Sequence, residues 1–123
     1  MPHVIILDDE EDLLDMVSLG LTRHGLTTTC VLNSQRFFSE LVARRPDAIL
    51  MDIYIGKEDG REICKQIKED NTFSNIPVIL YSAGNVSDES IKESGADEFV
   101  SKPFIVKELA EKLLKLCKQD GIL

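Results

Sequence analysis

The sequence predicts a doubly wound α/β sandwich, a parallel sheet covered by helices on both faces. Three observations carry that expectation. Short apolar runs alternate with amphipathic stretches five times. Three of the runs, at residues 4–7, 48–51 and 78–81, are continuously apolar, as strands buried on both faces must be. No repeat, low-complexity tract or linker-like segment interrupts the alternation before the last few residues. Right-handed crossovers turn five strands and five helices in strict alternation into this class.

The first strand, residues 4–7, leads into a helix on which Leu13, Leu14, Val17 and Leu21 recur at three- and four-residue steps, with Gly25 where a left-handed C-terminal cap is wanted. The second strand, 27–32, is mixed and polar, which suits a sheet edge. A second helix, 34–44, turns Phe37 and Leu41 inward and stops at Pro46. After the third strand, 48–51, Asp59 followed by Glu62 resembles a capping box opening a helix with Ile63 and Ile67 inward. The fourth strand, 78–81, precedes a helix framed by Ser87 and Gly95 whose one large apolar residue is Ile91, so it is expected to dock weakly and move easily. The short strand 98–100 is the second edge. The last helix, 105–118, carries Val106, Leu109, Leu113, Leu116 and Cys117 on one stripe.

One domain over residues 1–123, without an output domain, is expected from a chain that is 43% hydrophobic and 29% charged. A chain of this length buries roughly two-thirds of its unfolded surface and needs neither disulfide nor metal to stabilise a core. Fourteen Lys and Arg against twenty-two Asp and Glu give a net charge of −8, which repels nucleic acid and anionic membranes and favours a cation or a basic partner. Cys30, Cys64 and Cys117 are odd in number, form no C-x-x-C pair, and read as buried, reduced thiols. His3 and His24 offer no zinc set, and with Met51 they read as packing or surface residues. The apolar run after Met1, Pro2 and His3 is too short for a signal peptide or a membrane span, so a cytoplasmic setting is expected.

In open parallel sheets, ligands bind beyond the carboxyl ends of the strands. Asp8 and Asp9 follow the first strand, Asp52 the third, Ser82 the fourth and Lys102 the fifth. Clustered carboxylates repel, and one would hold its proton more tightly unless a cation lies among them. Mg²⁺ takes a few carboxylate oxygens, keeps waters, and leaves room for a phosphoryl oxygen. An Asp can then attack phosphorus, with Lys102 and Ser82 holding the incoming oxygens by charge and by hydrogen bond. Each residue also has an ordinary reading: Asp8 and Asp9 as capping acids ahead of Glu10 and Glu11, Asp52 as a turn residue, Lys102 as a solvated lysine, Ser82 as loop, Phe99 as core. Their coincidence at one sheet edge favours a site.

These residues, with Met51-Asp52-Ile53 ahead of Asp59-Gly60, Tyr81-Ser82-Ala83, and Ser101-Lys102-Pro103-Phe104, resemble the receiver domain of bacterial two-component response regulators over nearly the whole chain. The resemblance implies a flavodoxin-like, CheY-like three-layer sandwich with strand order 2-1-3-4-5. It implies Asp52 as phosphoacceptor, Asp9 as direct ligand of Mg²⁺ or Mn²⁺, Asp8 as a ligand through water, and the Tyr54 carbonyl as the remaining protein ligand. Ser82 is implied as the switch hydroxyl, Ala83 as the small neighbour whose N–H meets the phosphoryl group, Lys102 as the motif lysine with a cis bond to Pro103, and Phe99 as the aromatic switch. The implied role is signalling, with a sensor histidine kinase or histidine phosphotransfer protein upstream, an unspecified protein downstream, and a monomer or weak phosphorylation-dependent dimer. In that switch Ser82 is drawn to the phosphoryl group, Phe99 turns inward, and the surface of the fourth helix, fifth strand and fifth helix changes.

Three departures bear on this. Ile55-Gly56-Lys57-Glu58 stands where the family often has Pro, so that loop is expected to be freer. Phe99 lacks the hydroxyl of the Tyr often found there, and Tyr54 is expected to overhang the acyl phosphate and hinder water. Two rivals lack their motifs: the D-x-D-x-T of haloacid-dehalogenase-type phosphohydrolases is absent after the first strand, and the acidic first loop does not suit a flavodoxin-like FMN phosphate. A receiver-like module that binds its partner without phosphorylation is the alternative.

Overall fold

The computed structural model describes residues 1–120. In chain order its elements are β1 (His3–Leu7), α1 (Glu11–Arg23), β2 (Thr27–Val31), α2 (Ser34–Ala43), β3 (Ala48–Asp52), β4 (Tyr54–Ile55), β5 (Glu58–Asp59), α3 (Gly60–Glu69), β6 (Val78–Ser82), α4 (Asp88–Ser94), β7 (Glu98–Ser101) and α5 (Val106–Asp120). Five of the strands form one parallel sheet in the order β2-β1-β3-β6-β7, which is the expected 2-1-3-4-5 order of the main strands.

The two-residue period of the strands sorts the core into two layers. Every residue of β1, β3 and β6 is buried. Ile5, Leu7, Ile49, Met51, Val78 and Leu80 face Phe37 and Leu41 of α2 and Ile63, Cys64 and Ile67 of α3. Val4, Ile6, Leu50, Ile79 and Tyr81 face Leu14, Val17 and Leu21 of α1 and Leu109 and Leu113 of α5. Burial of each large side chain contributes about 1.5–3 kcal/mol, so continuous apolar runs are what this two-faced burial selects. The edge strands β2 and β7 are mostly half-buried, matching their mixed sequences.

Local chemistry sets the helix ends. Asn33 caps α2 by accepting the Arg36 N–H at 2.8 Å, and Ser87 caps α4 through the Ser90 N–H at 3.2 Å. Gly25 and Gly95 follow α1 and α4 with φ of 91° and 82°. Asp59 caps α3, but through Arg61: its carboxylate accepts the Arg61 N–H at 2.9 Å and grips the guanidinium at 2.7 Å. That grip replaces the reciprocal capping box expected with Glu62. The last helix begins at Val106, with the Ile105 carbonyl accepting the Leu109 N–H at 3.1 Å, and it runs past the expected end at 118.

Three further expectations are corrected or refined. The segment after Asp52 is not a freer loop but an antiparallel hairpin, with Tyr54 opposite Asp59 and Ile55 opposite Glu58. Burial of Ile55 anchors it, and the Ser34 hydroxyl donates to Glu58 Oε1 at 2.8 Å, which outweighs the charge of Lys57 and Glu58. Of the thiols only Cys64 is buried; Cys30 is exposed because β2 is an edge strand, and Cys117 is half-buried. The short α4 buries only Ser94 and packs Ile91 partly, as its sequence suggested, yet a polar tie from Arg61 Nη1 to Ser90 Oγ at 3.2 Å joins it to α3.

Candidate functional site

The carboxyl ends of β1, β3, β6 and β7 bring the polar residues singled out above to one edge of the sheet. Asp8 is fully buried. Its Oδ1 accepts the Glu10 N–H at 2.8 Å, and its Oδ2 accepts the Tyr81 hydroxyl and lies 3.9 Å from Lys102 Nζ. Asp52 ends β3 and is 7% exposed. Its Oδ1 accepts the Tyr54 N–H at 3.0 Å, and its Oδ2 pairs with Lys102 Nζ at 3.3 Å. Lys102 therefore stands between two buried carboxylates, 5.0 Å from the centroid of the Tyr81 ring. Burial pushes the Asp52 carboxyl above the ordinary Asp range; the Tyr54 N–H and Lys102 oppose that shift, and the Asp8 charge adds to it.

Asp9 follows Asp8 in the chain and has a different partner. It is exposed, and its Oδ2 accepts the Gly56 N–H at 2.7 Å, which latches it to the tip of the β4–β5 hairpin. Gly56 sits at φ 57°, a left-handed conformation that suits glycine and aims this N–H at the carboxylate. The structure thus joins Asp8, Asp52 and Lys102 by ion pairs and ties Asp9 to the hairpin.

Ser82 is buried at the end of β6; its Oγ accepts the Gly84 N–H at 3.1 Å, and its carbonyl accepts the Lys102 N–H at 2.9 Å. Ala83 is exposed beside it. The exposed Tyr54 carries its ring over the same loop, with Cε2 3.7 Å from where a Cβ on Gly84 would stand. Phe99 is half-buried against the core layer of α2 and α3. The Lys102–Pro103 peptide is cis. Next to the carboxylates, Lys102, Pro103, Phe104 and Ala83 face Leu13 and Met16 of α1 across an apolar cavity of about 330 Å³.

Two residues that hold the site were given no role from sequence. Gly60, the first residue of α3, donates its N–H to the Ile53 carbonyl at 2.6 Å, and a Cβ there would fall 2.3 Å from the Asp52 carbonyl oxygen. The start of α3 thereby braces the backbone of Asp52. Tyr81 reads in sequence as one more apolar strand residue; the available signal was a hydroxyl at the end of an otherwise aliphatic run.

Three carboxylates and a backbone carbonyl, without thiol or imidazole, form a donor set suited to a hard divalent cation such as Mg²⁺. Among the described residues no three acidic, thiol or imidazole side chains converge as a ready-made cage. Gly56 holds Asp9, and Tyr81 holds Asp8. By chemistry the residues fit such an ion. Together, a buried carboxylate at the mouth of the sheet, an ammonium beside it and a hydroxyl at its rim can receive and hold a phosphoryl group.

The profile of the response regulator receiver domain matches residues 4–114. The chain is 31% identical to the phosphate regulon transcriptional regulatory protein PhoB of Pseudomonas aeruginosa, across 96% of this chain and 52% of that protein. It is 34% identical to the heme response regulator HssR of Staphylococcus saprophyticus, across 99% of this chain and 54% of that protein. The chain thus spans about half the length of these curated relatives. Among solved structures, the receiver domain of Francisella response regulator 1452 superposes with a TM-score of 0.89 at 26% identity, covering 98% of this chain and 100% of that one. The chemotaxis response regulator CheY4 of Vibrio cholerae shares the fold, with a TM-score of 0.86 at 21% identity over 94% of this chain and 98% of that one.

Proposed function

Because this chain belongs to the response regulator receiver domain family, we propose that it takes a phosphoryl group from a phosphohistidine onto Asp52 and signals through a change of surface. The observation that carries the reading is Asp52 itself, buried at the end of a central strand with Lys102 Nζ at 3.3 Å. An Asp52 carboxylate oxygen attacks phosphorus, the new O–P bond forms, and the P–N bond to the donor imidazole breaks as that ring takes up a proton. Lys102 follows the transferred oxygens by charge, and the Ala83 N–H and Ser82 hydroxyl bind them. The Ser82 oxygen accepts the Gly84 N–H, which leaves its hydroxyl hydrogen to be donated to a phosphoryl oxygen.

Asp9, Asp52 and the Tyr54 carbonyl would hold Mg²⁺ or Mn²⁺ directly, with Asp8 through water. When bound, the ion neutralises the acidic cluster and the charge that builds on the phosphoryl oxygens. In this reading Tyr54 overhangs Asp52 and restricts water, which sets the lifetime of the acyl phosphate. Movement of Ser82 opens space for Phe99, which switches by packing because it carries no hydroxyl, and α4 answers because it buries so little.

The upstream partner is a sensor histidine kinase or a histidine phosphotransfer protein; the downstream partner is a protein reached through α4, β7 and α5, with the domain a monomer or a weak phosphorylation-dependent dimer. Among the described residues no helix is long and apolar enough to cross a membrane, and we place the domain in the cytoplasm. We assign residues 1–123 to one receiver domain, whose slow loss of the phosphoryl group is timing and not metabolic turnover. Intact-mass measurement after incubation with acetyl phosphate tests the reading. The expected result is a gain of one phosphoryl group that requires Mg²⁺ and is absent from Asp52→Ala; no gain in a folded protein that also fails to bind beryllofluoride contradicts it and favours the constitutive module.

A further inference from the structure

We propose that Tyr81 is a positioning residue for phosphoryl transfer, its hydroxyl holding Asp8 and its ring supporting Lys102 so that the ammonium stands at Asp52. The inference rests on the receiver reading above. Tyr81 is 1% exposed and pairs with Asp52 in the β3–β6 register, so it lies against the phosphoacceptor strand. Its ring is fixed by an edge-on contact with Phe104, centroids 5.6 Å apart at 77°. From that fixed position the hydroxyl reaches Asp8 Oδ2, and the ring lies 5.0 Å from Lys102 Nζ.

Competition for the ammonium gives this arrangement its consequence. Asp8 is sealed from solvent, so its Oδ2 needs an internal donor. Two groups face that oxygen: the Tyr81 hydroxyl and the Lys102 ammonium at 3.9 Å. While the hydroxyl satisfies Asp8, Lys102 is left to sit closer to Asp52, at 3.3 Å. Without it, Lys102 is the remaining side chain that faces this oxygen among the described residues, and an incompletely paired buried charge draws its counter-ion strongly. The negative face of the ring also attracts the ammonium and narrows its range. Tyr81 therefore sets how Lys102 divides between the two carboxylates.

Tyr81→Phe keeps the ring and removes the hydroxyl. Initial rates of phosphoryl uptake from acetyl phosphate with Mg²⁺ are compared for wild type, Tyr81→Phe, Lys102→Ala and the double variant, each first shown to be folded by thermal melting. The expected result is uptake slowed about tenfold by Tyr81→Phe alone and changed less than about twofold when Lys102 is already gone, as for two residues acting through one contact. A second readout needs neither turnover nor metal. In the wild-type NMR spectrum the Lys102 ε-methylene protons are expected upfield, in the ring current of Tyr81, and in Tyr81→Phe they are expected to move as the ammonium shifts toward Asp8.

A wild-type rate in Tyr81→Phe overturns the proposal, and so does equal slowing with and without Lys102. Lys102 ε-methylene protons at the free-lysine position in wild type overturn it whether or not the variant folds. A folded wild type that takes no phosphoryl group and binds no beryllofluoride overturns the receiver reading and this inference with it, whereas a phosphorylated wild type beside an equally fast Tyr81→Phe overturns this inference alone.

Discussion

Replacing Gly60 with alanine probes how the fold holds the phosphoacceptor. The added Cβ would fall 2.3 Å from the Asp52 carbonyl oxygen and 3.1 Å from the Ile53 Cα. Carbon–oxygen contacts sit ordinarily near 3.3–3.6 Å, so the backbone at Asp52 or the start of α3 must move by about 1 Å. Both partners are backbone, and no flexible side chain can absorb the shift. Overpacking of this kind costs roughly 1–3 kcal/mol, and the helix preference of Ala over Gly returns up to about 1 kcal/mol. A net loss of about 1–2 kcal/mol follows. With roughly 2.1 cal/mol/K of unfolding entropy per residue, that lowers the melting midpoint of a domain this size by about 4–8 °C. Because the displaced atoms carry the nucleophile, phosphoryl uptake from acetyl phosphate is expected to fall by about tenfold to a hundredfold, in line with the cost of misplacing a reacting group by 1 Å. Calorimetric melting and intact-mass kinetics read the two effects. A Gly60→Ala protein that melts and phosphorylates like wild type would refute the reasoning; one that melts lower but phosphorylates equally fast would show that bracing by α3 is not used by the chemistry.

Further outcomes follow from the same geometry. Asp52→Asn is expected to stabilise the metal-free protein at pH 7, because burial raises the Asp52 carboxyl in the folded state; the folded protein then binds that proton more tightly than the unfolded chain, so the group costs stability when ionised. The advantage of Asn should shrink as pH falls through the raised value and vanish below about 3.9, the ordinary value of an unfolded Asp; melting curves across pH check it, and a pH-independent difference contradicts it. Tyr54→Ala is expected to shorten the lifetime of the acyl phosphate several-fold by opening the mouth above Asp52, and an unchanged decay of the phosphorylated mass removes Tyr54 from the account. In thiol labelling of the native protein, exposed Cys30 is expected to react first, while Cys64, buried and with its thiol pushed up to about 11, stays protected until the domain opens; labelling of Cys64 at the rate of Cys30 contradicts the packing of α3.

What the sequence revealed and what it concealed divide along physical lines. The central strands were legible because burial on both faces demands continuous apolar runs, and Phe37, Leu41, Ile63 and Ile67 were legible because a helix can bury only one stripe. The residues after the strands were legible as a group because the topology brings every strand end to one edge. The β4–β5 hairpin was not, since Lys57 and Glu58 suggested a free loop while the decisive contact was burial of Ile55. The tie between Asp9 and Gly56 was not legible either, because a backbone N–H carries no signature in a sequence. Exposure of Cys30 depended on β2 having a neighbour on one side only, which is a property of the sheet and not of the residue. Tyr81 was hidden for the opposite reason: its ring fits the apolar strand so well that its hydroxyl drew no notice.

That Asp52, and neither Asp8 nor Asp9, receives the phosphoryl group is tested by trapping it. Borohydride reduces an acyl phosphate to the corresponding alcohol, so treatment after incubation with acetyl phosphate and Mg²⁺ should convert position 52 to homoserine, located by peptide mass. The expected product is homoserine at 52 with Asp8 and Asp9 unchanged. Reduction at Asp8 or Asp9, or a phosphoryl group that resists borohydride and maps to Ser82, would contradict it.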